Sequence, residues 1–480
     1  MLAHVRAESP YTASAVSMLG HVIVLLVLAL IVSEVDVTEK LTIITSPVSD
    51  VEEPPTEIEV PDIDQVPVDE VDPVPNVVVA AEPSIDAPDG GQLVDSFEPQ
   101  TPAPTVELFD GPGAMESMML VGIGGEGLGK GGLEGRGLAT KRAPADAVQA
   151  VDRSLKWIAI HQMPDGGWSF DLEACPSCLG KCSHSGTSKK DDRAGATALA
   201  LLPFLGRGFT HRDGPYKKQV EAGIAFLVGQ AAKGNGKVYE KSGSLYSQGL
   251  AGIALSECYA MTKDPRLAAP TQAALNFIMQ AQDPQGGGWR YSPRQPGDTS
   301  AVGWQIMALK SGNMAYLEVN PLTVKKAVEF LESVKGDDYG ATYGYTSPGN
   351  RLGTSAVGLL CRMYLGWKKD NPGLQDGAAR IAKAGPSKDL YYDYYATQVM
   401  HHMEGEMWKT WDATMKKMLI DTQATNDHEA GSWHEGVDGD HGAHAAGRLY
   451  STSLATLILE VYYRHLPLYG TQSVDDEFRE

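Results

Sequence analysis

Three turns of one design punctuate the C-terminal part of this chain: HQMPDGGW at His161–Trp168, AQDPQGGGW at Ala281–Trp289 and, more loosely, TQATNDHEAGSW at Thr422–Trp433. Each ends a helical stretch, reverses on glycine and closes on tryptophan. Glycine permits the tight reversal, and the large indole can cover the seam that the reversal leaves. A chain that repeats such a unit is built from stacked helix pairs, because one pair cannot bury its apolar face alone.

The surrounding sequence supplies the pairs. Helices of a first type are expected at 147–163, 216–231, 269–282, 321–335, 371–384 and 408–424. Helices of a second type start at Ala194, Leu245, Asp298, Leu352, Leu390 and Leu449. Apolar residues recur at helical spacing, and small residues near each second-type start allow close packing. The pairs follow one another at roughly 50-residue intervals, too irregular for an open solenoid of identical units. Six pairs can instead close on themselves. The expected fold is all-α: six pairs closed on themselves would make an α6/α6 toroid over 141–470, with second-type helices inside and first-type helices outside, a closure that periodicity alone does not require.

The turns resemble the Gln–Trp repeat of squalene–hopene cyclases and protein prenyltransferase β subunits, over about Ala147 to Tyr469. The resemblance implies a toroid of the terpenoid-cyclase type. It also implies structural roles: Gln162, and Gln280 or Gln282, would bond exposed backbone at helix ends, while Trp168, Trp289 and Trp433 would cover the joints.

The chemistry of those families is not written in this chain. Class II terpene cyclases protonate an alkene with an Asp in a D-x-D-D-T run just before an inner helix. The matching stretches here are Lys189-Lys190-Asp191-Asp192-Arg193 and Pro296-Gly297-Asp298-Thr299-Ser300. Asp438-Gly439-Asp440-His441 comes nearer, but lies well ahead of its helix. Asp298 has a simpler use as an N-cap, accepting from amides of the first turn. Prenyltransferase β subunits match better in having one toroid, but their zinc site needs an Asp and a Cys two residues apart. Cys258 follows Ser256-Glu257 and Cys361 follows Leu359-Leu360. The G-C-G-E-Q of complement-like thioester domains is absent too. The resemblance implies a scaffold and leaves the reaction open.

Candidate cavity residues remain. Tyr391, Tyr392, Tyr394 and Tyr395 crowd one inner helix beside Asp393 and His401. With Asp298, Trp304, Gln305, Tyr246 and Tyr450 they can line a central cavity suited to an apolar or sugar-like ligand. Half of the 12 histidines lie between His401 and His444, and His434, His441 and His444 are candidate metal or acid–base groups. Cys175, Cys178, Cys182 and His184 form a compressed cluster that suits a structural zinc or, alternatively, one disulfide with a thiol left over. The compressed spacing and a setting outside the cytoplasm favour the disulfide. No cofactor is certain.

The N-terminal part is of another kind. Residues 13–32 are an apolar run long enough to cross a bilayer, and are expected to act as an uncleaved signal-anchor. Residues 1–12 then form a short cytoplasmic N-terminus, since Arg6 precedes the span. Residues 33–110 carry 20 acidic groups, one lysine and 12 prolines, which reads as a disordered stalk. Of the formal charge of -21, that segment holds -19 and the rest only -2. No basic stripe exists, which excludes nucleic acid as the expected partner. Residues 111–140 form a glycine-rich linker. Gly124 to Lys130 has phosphate-loop spacing, but Gly131 stands where a hydroxyl should bind magnesium. Residues 471–480 are a tail. The sequence thus describes a single-pass membrane protein whose bulk lies outside the cytoplasm. It is expected to bind an apolar or protein ligand through the toroid; the alternative is an enzyme acting on an isoprenoid, or a lyase or hydrolase using the C-terminal His/Asp cluster.

Overall fold

The computed structural model describes residues 143–240, 242–434, 441–465 and 468. The expected N-terminus, span, stalk and glycine linker, together with the 471–480 tail, lie outside the described residues. Among the described residues no helix is long and apolar enough to cross a membrane, and no strand forms beyond the isolated Lys335–Tyr343 bridge.

Among the described residues, twelve helices make six pairs. The outer members are α1 (Ala145–Ile160), α3 (Lys217–Lys233), α5 (Pro265–Gln280), α7 (Pro321–Ser333), α9 (Pro372–Ala384) and α11 (Gly405–Thr422). The inner members are α2 (Arg193–Gly206), α4 (Leu245–Thr262), α6 (Thr299–Met314), α8 (Leu352–Tyr364), α10 (Leu390–Met403) and α12 (His441–Leu459). A short α13 (Val461–Arg464) follows. Burial separates the two sets. Helix α1 buries one stripe, Ala147, Ala150, Val151, Ser154, Leu155, Trp157 and Ile158, as a helix with one wet face must. Helix α2 buries everything after Arg193, and α6 everything except Ser300, because each is surrounded. Each inner helix packs on the next, and α12 returns to α2, while α11 reaches α1. The described helices therefore close into a double ring, an α/α toroid.

Three helix starts differ from the sequence expectation by three residues or more; the largest difference is α12, which begins at His441 rather than Leu449 and bends at Gly447, whose φ of 68° is not helical. Helix α5 begins at Pro265 rather than 269, because Asp264 caps it and proline at the first position forfeits no helical bond. Pro270 is carried inside the helix. Helix α11 begins at Gly405, three residues before its expected start.

The recurrent turns act as staples. Gln282 Nε2 donates to the Gly287 carbonyl at 2.8 Å and to Thr323 O of α7 at 2.9 Å. Gln162 Nε2 does the same for Gly166 O at 2.7 Å and Gln219 O of α3 at 2.8 Å. Gln423 joins Gly431 O at 2.9 Å to Ala150 O of α1 at 2.8 Å, and so ties the last repeat to the first. The Trp168, Trp289 and Trp433 indoles donate to Ile158 O, Ile278 O and Leu419 O at 2.8, 2.7 and 2.7 Å. Gln280 takes no such part; the second staple is Gln282. Gly287 has φ +74°, and a Cβ there would stand 2.1 Å from Lys326 O of the next outer helix. The turn is glycine because the two backbones touch. A fourth staple comes from inside the ring, where Gln248 Nε2 on α4 donates to Gly236 O at 2.9 Å and Ala274 O at 3.1 Å.

Residues at the C-terminal ends of the inner helices close one side of the ring. Arg464 of α13 donates to Glu257 of α4 at 2.9 Å and to Leu202 O of α2 at 2.8 Å, with both charged side chains buried. Lys310 of α6 lies 3.6 Å from the centroid of the Tyr364 ring.

Candidate functional site

At the opposite side, the N-terminal ends of all six inner helices surround a cavity of about 700 Å³. Its wall takes Gly195 and Leu199 from α2, Tyr246, Ser247 and Leu250 from α4, and Ser300 and Trp304 from α6. Gly353 and Thr354 of α8, Tyr391 of α10, and Ala445, Ala446 and Tyr450 of α12 complete it. Phe170, Lys189, Tyr291, Tyr345 and Arg351 contribute from loops or helix caps. Seven aromatic side chains thus line one cup. They brace each other: Trp304 stacks on Tyr394 at 5.5 Å, Tyr246 on Tyr291 at 5.9 Å, and the Tyr291 and Tyr345 hydroxyls meet at 2.8 Å. Tyr391 is anchored by its hydroxyl to Ser300 O at 3.2 Å. Burial pushes the Tyr246, Tyr345 and Tyr391 hydroxyls above their ordinary range, so these three are neutral phenols at neutral pH.

The carboxylates near the cup are committed to helix starts. Asp192 caps α2, accepting from Gly195 N at 2.9 Å and from Ser247 Oγ at 2.6 Å. Asp389 caps α10 through Tyr391 N and Tyr392 N at 3.0 and 3.2 Å. Asp298 caps α6, accepting from Ala301 N at 2.8 Å, and sits beneath the Tyr246 hydroxyl at 3.4 Å. It is fully buried and does not line the cup. Burial raises its pKa; the Ala301 amide and the Arg290 guanidinium, 3.9 Å from Oδ2, act against that rise. The Tyr345 and Tyr246 hydroxyls act in the same direction as the Ala301 amide and Arg290.

Of the other candidates, Trp304 and Tyr391 face the cup, and Tyr394 stands behind Trp304. Gln305 turns away to donate to Leu245 O at 2.7 Å, which fixes α6 against the start of α4. Asp393 accepts from Ser387 N at 2.9 Å. His401 lies near the other end of α10, its Nε2 2.8 Å from His465 O. The His441 side chain, Asp438 and Asp440 lie outside the described residues. Asp393 and His401 thus stand near opposite ends of α10. Sequence reading missed Phe170, Tyr291 and Tyr345 as cup residues. All three are in loops, where no helical periodicity marks a facing direction.

The cysteine cluster differs from its expectation. All five cysteines are free thiols, so the expected disulfide is not formed. Cys175 Sγ turns to Ser177 Oγ at 3.2 Å and His161 O at 3.5 Å. His184 stacks on His434 with centroids 3.7 Å apart. Cys178 and Cys182 instead converge with His161 and His428, and one ligand atom from each lies within 4.8 Å of all the others. Burial pushes the Cys182 thiol up to about 12 and the His161 imidazole down to about 4. The missed partners had a signal: His161 and His428 sit in the first and last Gln–Trp turns, which a closed ring makes neighbours.

Fold and site define an α/α-toroid protein with an aromatic cup at one end of the ring. No family model and no curated protein matches the chain. Among solved structures it is similar to the α-1,6-mannanase GH76A of Salegentibacter sp. HEL1_6 at 10% identity. That match covers 66% of this chain and 99% of that one, with a TM-score of 0.45. It is also similar to the type II terpene cyclase MstE of Scytonema at 12% identity, covering 66% and 97%, with a TM-score of 0.43. A third is the cellobiose 2-epimerase of Bacillus thermoamylovorans B4167, at 12% identity, 66% and 97% coverage and a TM-score of 0.45. At this level of likeness no chemistry is transferred from them.

Proposed function

We propose that the chain binds a small, largely apolar molecule with a polar or anionic end group in the aromatic cup. It does so as a membrane-tethered protein whose toroid lies outside the cytoplasm. One observation carries the reading: all six inner helices contribute to one aromatic-walled cavity, and its carboxylates are used up as helix caps. A cavity of about 700 Å³ lies within the usual range for small-molecule sites, roughly 300–1,000 Å³. The helix N-termini carry partial positive charge toward it, and Lys189 and Arg351 stand at its edge, which favours a negative end group. A glycosidase would need two free carboxyl groups flanking the bond to be cut. Asp192 and Asp389 do not offer that. Descent from the prenyltransferase and squalene-cyclase scaffold, with its chemistry lost, accounts for the Gln–Trp staples. Residues 13–32 supply the anchor in the bilayer and 33–110 the stalk.

Titration with farnesol and farnesyl phosphate, followed by quenching of tryptophan fluorescence, tests this reading. Saturable binding is expected, tighter for the phosphate, with the difference lost in Arg351→Ala. Absence of saturable binding, or binding unaffected by both Tyr291→Ala and Trp304→Phe, contradicts it.

A second reading rests on Asp298, whose raised pKa suits a proton donor that would reach the cup through the Tyr246 hydroxyl, 3.4 Å away. Incubation with squalene or geranylgeranyl diphosphate decides it. A cyclised product that disappears in Asp298→Asn supports catalysis; recovery of unchanged substrate removes it.

A further inference from the structure

We propose that His161, Cys178, Cys182 and His428 form a structural zinc site that clamps the last repeat of the ring to the first. The tetrahedron of a Cys2His2 zinc, with metal–ligand distances of about 2.0–2.3 Å, has edges of about 3.3–3.8 Å. The structure supplies edges close to these. Cys182 Sγ is 3.5 Å from His161 Nε2 and 3.2 Å from His428 Nδ1, and all four ligand atoms lie within 4.8 Å of one another.

A second set of contacts orients the ligands independently of those distances. His161 Nδ1 lies 2.7 Å from the Trp157 carbonyl, which can only accept. That bond places the proton on Nδ1 and leaves the Nε2 lone pair directed at the cysteines, the arrangement that ordinarily fixes a zinc-bound imidazole. The Cys182 amide donates to Cys178 Sγ at 3.4 Å, a contact that stabilises thiolate character on the sulfur. The loop between the cysteines turns through Leu179 and Gly180, both at positive φ, and this brings the two sulfurs to one side. Cys178, Cys182 and His161 are buried.

The placement gives the site its role. His161 ends α1 and His428 lies in the turn after α11, so the ligands join the two repeats that meet where the ring closes. All four positions are filled by protein, which leaves none for a substrate. Gln423 ties the same seam through Ala150, and the metal would hold its other edge.

The test is metal analysis of the full-length chain, purified in detergent without chelator, followed by cobalt substitution. One zinc per chain is expected, with the visible spectrum of tetrahedral cobalt bearing thiolate ligands. Cys178→Ser and His428→Ala should lose the metal, while Cys175→Ser and His184→Ala keep it. The wild-type metal content does not depend on whether any variant folds. A metal-free wild type with a Cys178–Cys182 disulfide in peptide mapping overturns the proposal. So does metal that survives both Cys178→Ser and His428→Ala, or is lost from Cys175→Ser.

Discussion

The Gln423 side-chain amide donates to the Ala150 carbonyl at 2.8 Å, across 273 positions of sequence. Its second bond, to Gly431 O at 2.9 Å, holds its own turn. Gln423→Ala removes the side-chain donor to the Gly431 carbonyl and the extra bond that ties α1 at Ala150, at the place where the ring closes. An unsatisfied buried group costs about 1–3 kcal/mol, so a loss of about 2 kcal/mol is expected in denaturant unfolding. An unchanged transition would show that the seam is held by other contacts.

Two glycines should respond to alanine in opposite directions. Gly287 has positive φ and a neighbouring backbone carbonyl where its Cβ would go, so Gly287→Ala should destabilise by more than about 2 kcal/mol. Gly229 lies within α3 with nothing inside 4 Å of an added Cβ. Gly229→Ala should stabilise by about 0.5–1 kcal/mol, since glycine costs that much inside a helix. Paired thermal melts check both signs.

The sequence carried the ring more fully than the site. Helix pairs and Gln–Trp turns are local patterns, and each of Gln162, Gln282, Trp168, Trp289 and Trp433 bonds backbone a short way off in sequence or in the following helix. The cup depends on which way each helix start faces and on loops that periodicity does not describe. Trp304 and Tyr391 were legible because they stand on inner helices, whereas Tyr291 and Tyr345 were not. Gln305 and Asp393 are as buried as any cavity residue, yet they serve the backbone. His161 and His428 fall 267 positions apart, so the sequence grouped the cysteines with nearby His184 instead.

The closed side of the ring depends on a buried ion pair. Glu257→Gln should leave the Arg464 charge without its main partner and cost about 3–5 kcal/mol in unfolding free energy. Glu257→Leu combined with Arg464→Met removes both charges and should recover only part of that loss, because the buried Glu460 carboxylate loses the same guanidinium. A double variant no better than the single one would mean that the pair is needed for the packing itself.

Asp298 gives the stability a signed pH dependence. Its pKa in the fold is raised above the ordinary 3.8 by burial, so the folded state holds the proton more tightly than the unfolded chain does. Its contribution is fully present below 3.8 and is lost as pH rises through the raised value. Asp298→Asn keeps a capping oxygen and removes the ionisation. The variant should therefore melt higher than the wild type at neutral pH, with the gap shrinking as the solution is acidified toward 3.8. His402 works in the other direction. Burial lowers its pKa well below 6.5, so its contribution is present above 6.5 and is lost as pH falls. Melting curves of both variants, Asp298→Asn and His402→Phe, across the acid range separate the two effects. A gap that widens on acidification in Asp298→Asn contradicts the assignment.

The cup can be tested most directly by photo-crosslinking the full-length protein with a farnesyl probe that carries a diazirine. Label on peptides containing Tyr246, Trp304, Tyr391 or Tyr450, removed by excess unlabelled farnesyl phosphate, is the predicted result. Label confined to the outer helices, or label that excess ligand does not displace, would contradict a binding site at the inner helix N-termini.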